Sequence, residues 1–184
     1  MKVKISAIER DHTDAGPGLR TEVFFYGCSK DCPGCQNKWT EDMPYIEVST
    51  FKLARKVASL RNSNVSISGG EPFEQPVSLL SFLKWLRFWN RIRYFKKTHV
   101  LLYTGMTWEE LGFMNFLSDR LVDKVQSQVN LIVVNPWEHL KSYKIVKDTC
   151  VGSWNQRAYE VVHRKPPILH EITVDGFGHL ILDE

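Results

Sequence analysis

The sequence predicts an α/β fold, because short apolar strands alternate with longer helical patterns along most of the chain. Strands are expected at 21–26, 65–68, 100–103 and 129–134, and helices at 51–60, 79–89 and 108–121. Parallel strands need helical crossovers, so this alternation favours a parallel sheet with helices outside it. About four such units are too few to close an eight-stranded barrel. An open, partial parallel β/α barrel is therefore expected.

Length and composition favour one globular unit. The chain has 184 residues, of which 43% are hydrophobic, which is enough to bury an ordinary core. No apolar stretch approaches the roughly 20 residues that span a bilayer, and no apolar run follows the first basic residues. We therefore expect a cytoplasmic protein without a membrane partner. A formal net charge of +3 does not by itself indicate a nucleic-acid partner.

The chain is expected to divide into a main domain, residues 1–162, and a C-terminal extension, residues 163–184. The segment 164–167, which holds two prolines, has the composition of a joint. Within the extension, Asp175 and Gly176 form a typical two-residue turn and predict a β-hairpin over 172–182. Earlier in the chain, Thr107 followed by Glu110 has the form of a capping box and predicts a helix start.

Unusual residues follow each of the four strands of the predicted alternation. Cys28 comes after the first strand, Gly69-Gly70-Glu71-Pro72 after the second, Thr104-Gly105 after the third and Asn135-Pro136 after the fourth. Ligands bind at the carboxyl ends of parallel strands in α/β proteins. These four loops are therefore expected to converge on one pocket.

Three of the four cysteines, Cys28, Cys32 and Cys35, lie within eight residues. Such clustering in a chain without a secretory signal indicates metal ligation in a reducing compartment. An iron–sulfur cube normally takes four thiolates, so three would leave one iron open, as a reactive metal site requires. We therefore predict a 4Fe-4S cluster on these three residues. The alternatives are a zinc site completed by His12 or Cys150, and reduced thiols without metal.

The sequence GGEP at 69–72 is the second candidate site. Gly69 and Gly70 allow backbone to approach a ligand closely, and the Glu71 carboxylate can accept hydrogen bonds from a cationic amine. The same residues also fit an ordinary strand-to-helix turn, which is the alternative for this segment.

Three segments together resemble a known superfamily. GPGLR at 16–20, VFFYG at 23–27 and CSKDCPGCQN at 28–37 resemble the radical S-adenosylmethionine (SAM) superfamily and, within it, the glycyl-radical-enzyme activating enzymes. The resemblance implies a partial barrel of the radical SAM type with a 4Fe-4S cluster and SAM as cofactors. It further implies that the amino and carboxylate groups of SAM bind the open iron. The reduced cluster would then cleave SAM to methionine and a 5'-deoxyadenosyl radical.

The resemblance also implies roles for individual residues. Residues 69–71 match the GGE motif, which binds the amino end of SAM. Gly34, Cys35 and Gln36 are implied to lie near the adenine through backbone contacts. The wider superfamily often has an aromatic residue where Gly34 stands. The CPGC form instead resembles the activators of anaerobic ribonucleotide reductase.

The segment GSWNQR at 152–157 resembles a GSSNQR-type segment of those same activators. This implies a large glycyl-radical enzyme as partner, anaerobic ribonucleotide reductase in particular, and an electron donor such as a flavodoxin or ferredoxin. Three departures leave another glycyl-radical protein or a small molecule open as substrate. Trp154 replaces a small residue, VNLIVVNPWE at 129–138 stands where the family tends to have an Asp-Gly pair, and 163–184 are additional. Arg157 fits a contact to partner or SAM, or an ordinary surface ion pair.

Basic and aromatic residues are interleaved at 84–97, a pattern that also fits nucleic-acid binding. Leu79, Phe82, Leu83 and Leu86 recur at helical spacing just before and within this segment. We therefore favour an outer helix with a solvated basic face and expect no nucleic-acid partner. A non-catalytic, metal-stabilised module that binds through this segment is the alternative to an enzyme.

Overall fold

The computed structural model describes residues 1–62, 64–95, 97–142, 149–162 and 167–181. Over these residues eight strands form one sheet in the order β3-β1-β2-β4-β5-β6-β7-β8. The strands are β1 (Lys2–His12), β2 (Arg20–Phe25), β3 (Ile46–Ser49), β4 (Val65–Gly69), β5 (Val100–Tyr103), β6 (Leu131–Val134), β7 (Arg157–Val162) and β8 (Ile168–Ile172).

The α-helices in the same part of the chain connect these strands. They are α1 (Trp39–Asp42), α2 (Thr50–Ser59), α3 (Pro76–Trp89), α4 (Trp108–Leu117) and α5 (Leu121–Gln126). Helix α3 continues as a π-helical segment, Asn90–Tyr94, and short 3-10 turns occupy Pro72–Glu74 and His139–Lys141. None of the helices described is long and apolar enough to cross a membrane.

The centre of the sheet is parallel and its flanks are antiparallel. Strands β2, β4, β5 and β6 pair in parallel, in that order. Strands β1 and β7 pair antiparallel with this central group, and β3 and β8 extend the sheet antiparallel beyond them. The predicted α/β class with a parallel centre is confirmed. The sequence prediction omits the four outer strands, which lack apolar runs like those of β5 and β6.

Most predicted element boundaries agree with the structure. The single helix expected at 108–121 is wrong, because the structure has two helices, α4 and α5, in this region. Helix α4 ends at Leu117, and Asp119 and Arg120 both take positive φ angles, 48° and 56°, before α5 begins. The predicted capping box at the start of α4 is confirmed. Thr107 Oγ1 accepts from the Glu110 N–H, and the Glu110 carboxylate accepts from the Thr107 N–H at 2.8 Å.

The main hydrophobic core lies between one face of the sheet and the layer formed by α2, α3, α4 and α5. Alternate residues of the central strands, such as Val23 and Ile67, point into it. Helix α3 buries the predicted apolar stripe Leu79, Phe82, Leu83 and Leu86. The interpretation of this segment as an outer helix with an exposed basic face therefore holds for the residues described; Lys96 lies outside them.

The opposite face of the central strands carries polar side chains. Arg20 is only 1% exposed, and its guanidinium donates to Ser66 Oγ at 2.6 Å and to the carbonyl oxygens of Pro17 and Val65, each at 3.0 Å. A smaller apolar cluster covers part of this face; its buried members are Leu101, Leu131, Val133, Cys150, Val151 and Ala158. One face of the sheet therefore packs against the helices, and the other face carries a strip of polar side chains.

The end of the chain continues the sheet. Strand β8 pairs with β7, and beyond it Val174 lies opposite Leu180 across a turn in which the Gly178 N–H donates to the Asp175 carbonyl at 3.1 Å. Residues 163–166 and 182–184 of the predicted extension lie outside the described residues. The division of the chain at residue 162 stays a prediction.

Phe82→Ala should lower the free energy of unfolding by about 3–5 kcal/mol, because Phe82 is fully buried and its removal leaves a cavity in the core. Phe116→Ala on α4 is the matched control, since Phe116 is 84% exposed, and should change stability by about 0.5 kcal/mol or less. Urea unfolding of the metal-free proteins measures both values. Equal effects of the two substitutions would contradict the placement of α3 and α4.

Candidate functional site

A cavity of about 530 Å³ lies beside the polar face, at the carboxyl ends of the parallel strands. Its walls include residues from three of the predicted strand-end loops; these are Cys28, Cys32, Cys35, Gln36, Gly69, Gly70, Glu71, Thr104 and Gly105. From the loop after β6, Trp137 reaches the wall, whereas Asn135, Pro136 and, in the first loop, Gly34 are not among the lining residues. The predicted loops therefore do meet at one pocket, with Trp137 in place of the expected Asn-Pro pair.

The cysteine loop, residues 28–35, begins directly after β2. Its end is a tight turn in which the Cys35 N–H donates to the Cys32 carbonyl at 3.1 Å. Gly34 takes a φ of +67° in this turn, and a Cβ there would lie 2.9 Å from the ring of His139. Both the backbone conformation and the neighbouring ring therefore favour glycine at this position.

The three thiols of this loop are free and half-buried. Burial raises the pKa of Cys28 and Cys32 above that of an ordinary thiol. Without metal these two side chains are therefore protonated at neutral pH, and a bound metal ion would displace their protons.

This donor set fits an iron–sulfur cube better than a single metal ion. A structural zinc ion needs four ligands about 2.0–2.3 Å from one point. Within the part of the chain that the structure describes, no three His, Cys, Asp or Glu side chains gather closely enough to hold one ion. A cube instead presents a separate iron to each thiolate, so the thiols of one loop need not converge on a point.

The two residues considered for completing a zinc site have other partners. The His12 imidazole contacts the carboxylates of Glu9, Asp14 and Glu22. Cys150 is 1% exposed and hydrogen-bonded to Tyr103, and burial raises its pKa to about 12. Cys150 does line the cavity, which its distance along the chain from the cysteine loop did not indicate.

The two glycines of the GGE loop, residues 69–71, allow two backbones to meet. The Gly70 N–H donates to the Phe25 carbonyl and the Glu71 N–H to the Gly27 carbonyl, both at 2.7 Å. A Cβ on Gly70 would lie 2.1 Å from the Gly27 carbonyl oxygen. Glycine is therefore required here, where the ends of the parallel neighbours β4 and β2 lie side by side. The contact of the two glycines with SAM stays a prediction.

The Glu71 carboxylate is 1% exposed and joins the loops after β4 and β5. Its Oε1 accepts from the Phe73 N–H at 2.9 Å and from Thr104 Oγ1 at 2.8 Å, and its Oε2 accepts from the Gly105 N–H at 2.8 Å. A carboxylate accepts about four hydrogen bonds, so about one position remains for a donor in the cavity. Burial raises the Glu71 pKa to about 6.

Sequence reasoning missed three side chains that hold the cysteine loop. Glu74 accepts from the Ser29 N–H at 2.5 Å, Glu110 of α4 pairs with Lys30, and the Trp137 indole N–H donates to the Gly34 carbonyl at 3.0 Å. The partners are 45, 80 and 103 residues apart along the chain. No local sequence pattern could have indicated such distant pairs.

The segment 152–157 contributes to the wall of the cavity. Gln156 Oε1 accepts from the Gly152 and Ser153 N–H groups, at 3.0 and 3.2 Å, and both Gly152 and Gln156 line the cavity. Trp154 is 56% exposed. Arg157 pairs with Glu171 at 3.2 Å and is not a lining residue, so the structure favours the surface ion pair for this side chain.

Three cysteines and a buried carboxylate of an α/β sheet thus line one strand-end cavity, as the predicted iron–sulfur site requires. The chain belongs to the family described as the 4Fe-4S single cluster domain, whose model matches residues 15–159. The predicted 4Fe-4S cluster is confirmed at the level of this family.

Individual relatives agree with the resemblance inferred from the motifs. A pyruvate formate-lyase-activating enzyme of Clostridium pasteurianum is 35% identical over 88 residues, which cover 44% of this chain and 37% of that protein. Anaerobic ribonucleoside-triphosphate reductase-activating proteins match as well. The match to the Escherichia coli K12 protein is 31% identical and covers 38% of this chain and 48% of that protein. The match to the Enterobacteria phage T4 protein is 23% identical and covers 76% of this chain and 90% of that protein.

The matched segments therefore span less than half of the first two relatives, but most of the phage T4 protein. The resemblance to the radical SAM activating enzymes is confirmed by these matches, and with it the expected pair of cofactors, the 4Fe-4S cluster and SAM.

Glu71 should make the protein less stable as the pH rises through its titration range. Its pKa is about 6 in the folded state against an ordinary value of 4.5, so the native state binds more protons between these values. The free energy of unfolding should therefore fall by about 2 kcal/mol in total, mostly between pH 4.5 and pH 6, and level off above about pH 7. Glu71→Gln should remove this part of the pH dependence.

Glu109→Gln is the control for that substitution, because Glu109 is exposed on α4 and its pKa is not raised. Urea unfolding of the three metal-free proteins at pH 4.5, 5.5, 6.5 and 7.5 gives the comparison. A Glu71→Gln profile parallel to the unmodified protein's would contradict a buried, perturbed carboxyl at this position.

Proposed function

We propose that this protein is a radical SAM activase that generates a glycyl radical on a partner enzyme, with anaerobic ribonucleotide reductase as the partner. The observation that carries the proposal is the convergence of Cys28, Cys32, Cys35 and the GGE loop on one cavity at the strand ends. In this proposal the three cysteines hold the 4Fe-4S cluster and leave one iron for the amino and carboxylate groups of SAM. When bound there, SAM supplies the organic radical that takes a hydrogen atom from the partner's glycine Cα.

The cavity's dimensions and charge support a SAM site. A volume of about 530 Å³ lies within the roughly 300–1,000 Å³ of typical ligand pockets. Glu71, with a pKa of about 6, is ionised at neutral pH and keeps an acceptor position for the ligand's ammonium group. Residues 69–71 would bind the amino end of SAM, and Gly34, Cys35 and Gln36 would lie along its adenine.

The protein's own residues prepare the site before any cofactor binds. Glu71, through Thr104 and Gly105, holds the loops after β4 and β5 together. Glu74 and Glu110 hold the cysteine loop through Ser29 and Lys30. These contacts orient the loop so that its thiols line the cavity, where an incoming metal would bind the sulfur atoms and displace their protons to solvent.

The phage T4 relative supports the choice of partner, because it is an anaerobic reductase-activating protein and its match covers 76% of this chain. The Clostridium pasteurianum relative favours a second candidate, activation of another glycyl-radical enzyme.

An electron donor such as a flavodoxin or ferredoxin would reduce the cluster. The proposal also includes a cytoplasmic location, the partial, open barrel form of the sheet, and a main domain of residues 1–162 with an extension at 163–184.

Cys28→Ala, Cys32→Ala and Cys35→Ala should each abolish stable iron binding, because each removes one thiolate from a three-thiolate cluster. Cys150→Ala is the matched control and should keep its iron, since that thiol is buried beside Tyr103. Iron and sulfide analysis after anaerobic reconstitution measures all four variants. Loss of the cluster in Cys150→Ala, or its retention in any of the other three, would overturn the ligand assignment.

The activity is tested by mixing reduced, reconstituted protein with SAM and the anaerobic ribonucleotide reductase of the same cell. Electron paramagnetic resonance should show an oxygen-sensitive doublet, split by the one hydrogen left on the glycine Cα. Mixtures without SAM, or with the Cys28→Ala variant, should give no doublet. SAM cleavage without a doublet would point to another substrate. An iron-free protein that leaves SAM intact would favour the non-catalytic module.

A further inference from the structure

The loop after β6, residues 135–141, lies directly against the cysteine loop. The Trp137 indole N–H donates to the Gly34 carbonyl at 3.0 Å. A Cβ on Gly34 would lie 2.9 Å from the ring of His139. Two side chains of this loop therefore meet the turn that carries Cys32 and Cys35.

The loop after β6 is itself fixed by hydrogen bonds, so it can support the cysteine loop. The Asn135 N–H donates to the Met106 carbonyl at 3.1 Å, and its side-chain amide donates to the Asn155 carbonyl at 2.9 Å. The Trp137 ring packs on Gly152, where a Cβ would lie 2.8 Å from the ring. Trp137 is thus wedged between Gly152 on one wall of the cavity and Gly34 in the cysteine loop.

We propose that Trp137 is a positioning residue for the 4Fe-4S cluster, which it serves by holding the Gly34 turn and with it the sulfur atoms of Cys32 and Cys35. This inference rests on the cluster assignment in the proposed function. Trp137 belongs to the segment 129–138, where the chain departs from the Asp-Gly pair of the family it resembles.

Two measurable properties follow from this arrangement. Outer contacts that orient metal ligands are typically worth about 10–100-fold in metal affinity. In addition, hydrogen bonds to the cluster's sulfur ligands help to set its reduction potential. Loosening the turn that carries Cys32 and Cys35 changes which N–H groups face their sulfur atoms, so the reduction potential should change together with the iron affinity.

Trp137→Phe removes the indole N–H and keeps an aromatic ring against Gly152. After anaerobic reconstitution, this variant should lose iron to a ferrous chelator ~10-fold faster than the unmodified protein. Its midpoint potential, from a redox titration followed by electron paramagnetic resonance, should shift away from that of the unmodified protein. Trp154→Phe is the matched control, because Trp154 is exposed on the neighbouring segment, and it should change neither quantity.

His139→Ala is a second, independent variant, because this exposed side chain adds little to the core. It should also speed the loss of iron, because the ring that packs against the Gly34 turn is removed. Unchanged iron loss in both Trp137→Phe and His139→Ala would overturn the proposal, as would equal potentials for Trp137→Phe and Trp154→Phe. An unmodified protein that takes up no iron would contradict the proposed function instead.

Discussion

Glu71 joins the three strand ends on which the cavity depends. Its N–H donates to the Gly27 carbonyl after β2, and its carboxylate accepts from Thr104 and Gly105 after β5, while the residue itself follows β4. These bonds form only because Gly70 lets the two backbones approach closely. The free-energy cost of burying the carboxylate is seen in its raised pKa. Three compensating hydrogen bonds to protein donors make that burial tolerable.

The two faces of the sheet have different roles: one forms the hydrophobic core and the other borders the cavity. Helices α2 to α5 pack on the apolar face and supply about half of the buried residues of the main core. The other face keeps buried polar groups such as Arg20 and Glu22, and it is there that the cavity opens. Side chains alternate across a strand, so neighbouring residues of β2 serve the core and the site in turn. A change in one face therefore need not disturb the other.

The parts that sequence could predict are those with local signals. The apolar runs of β5 and β6 and the cysteine spacing of the loop after β2 helped to identify the parallel centre and the position of the site. The outer strands lack such runs, since β3 and β8 are half exposed. The contacts of Glu74, Glu110 and Trp137 with the cysteine loop link residues at least 45 positions apart, so they depend on the folded sheet and not on any short pattern.

The protonation of the cysteine loop has a consequence for the newly made protein. Oxidants react with thiolates far faster than with thiols, so a raised pKa slows attack on a cysteine. Burial raises the pKa of Cys28 and Cys32 while all three thiols remain free. In a chain that has folded but not yet received its iron, oxidants should therefore attack Cys28 and Cys32 more slowly than exposed cysteines. The same burial that shapes the site protects these two sulfur atoms.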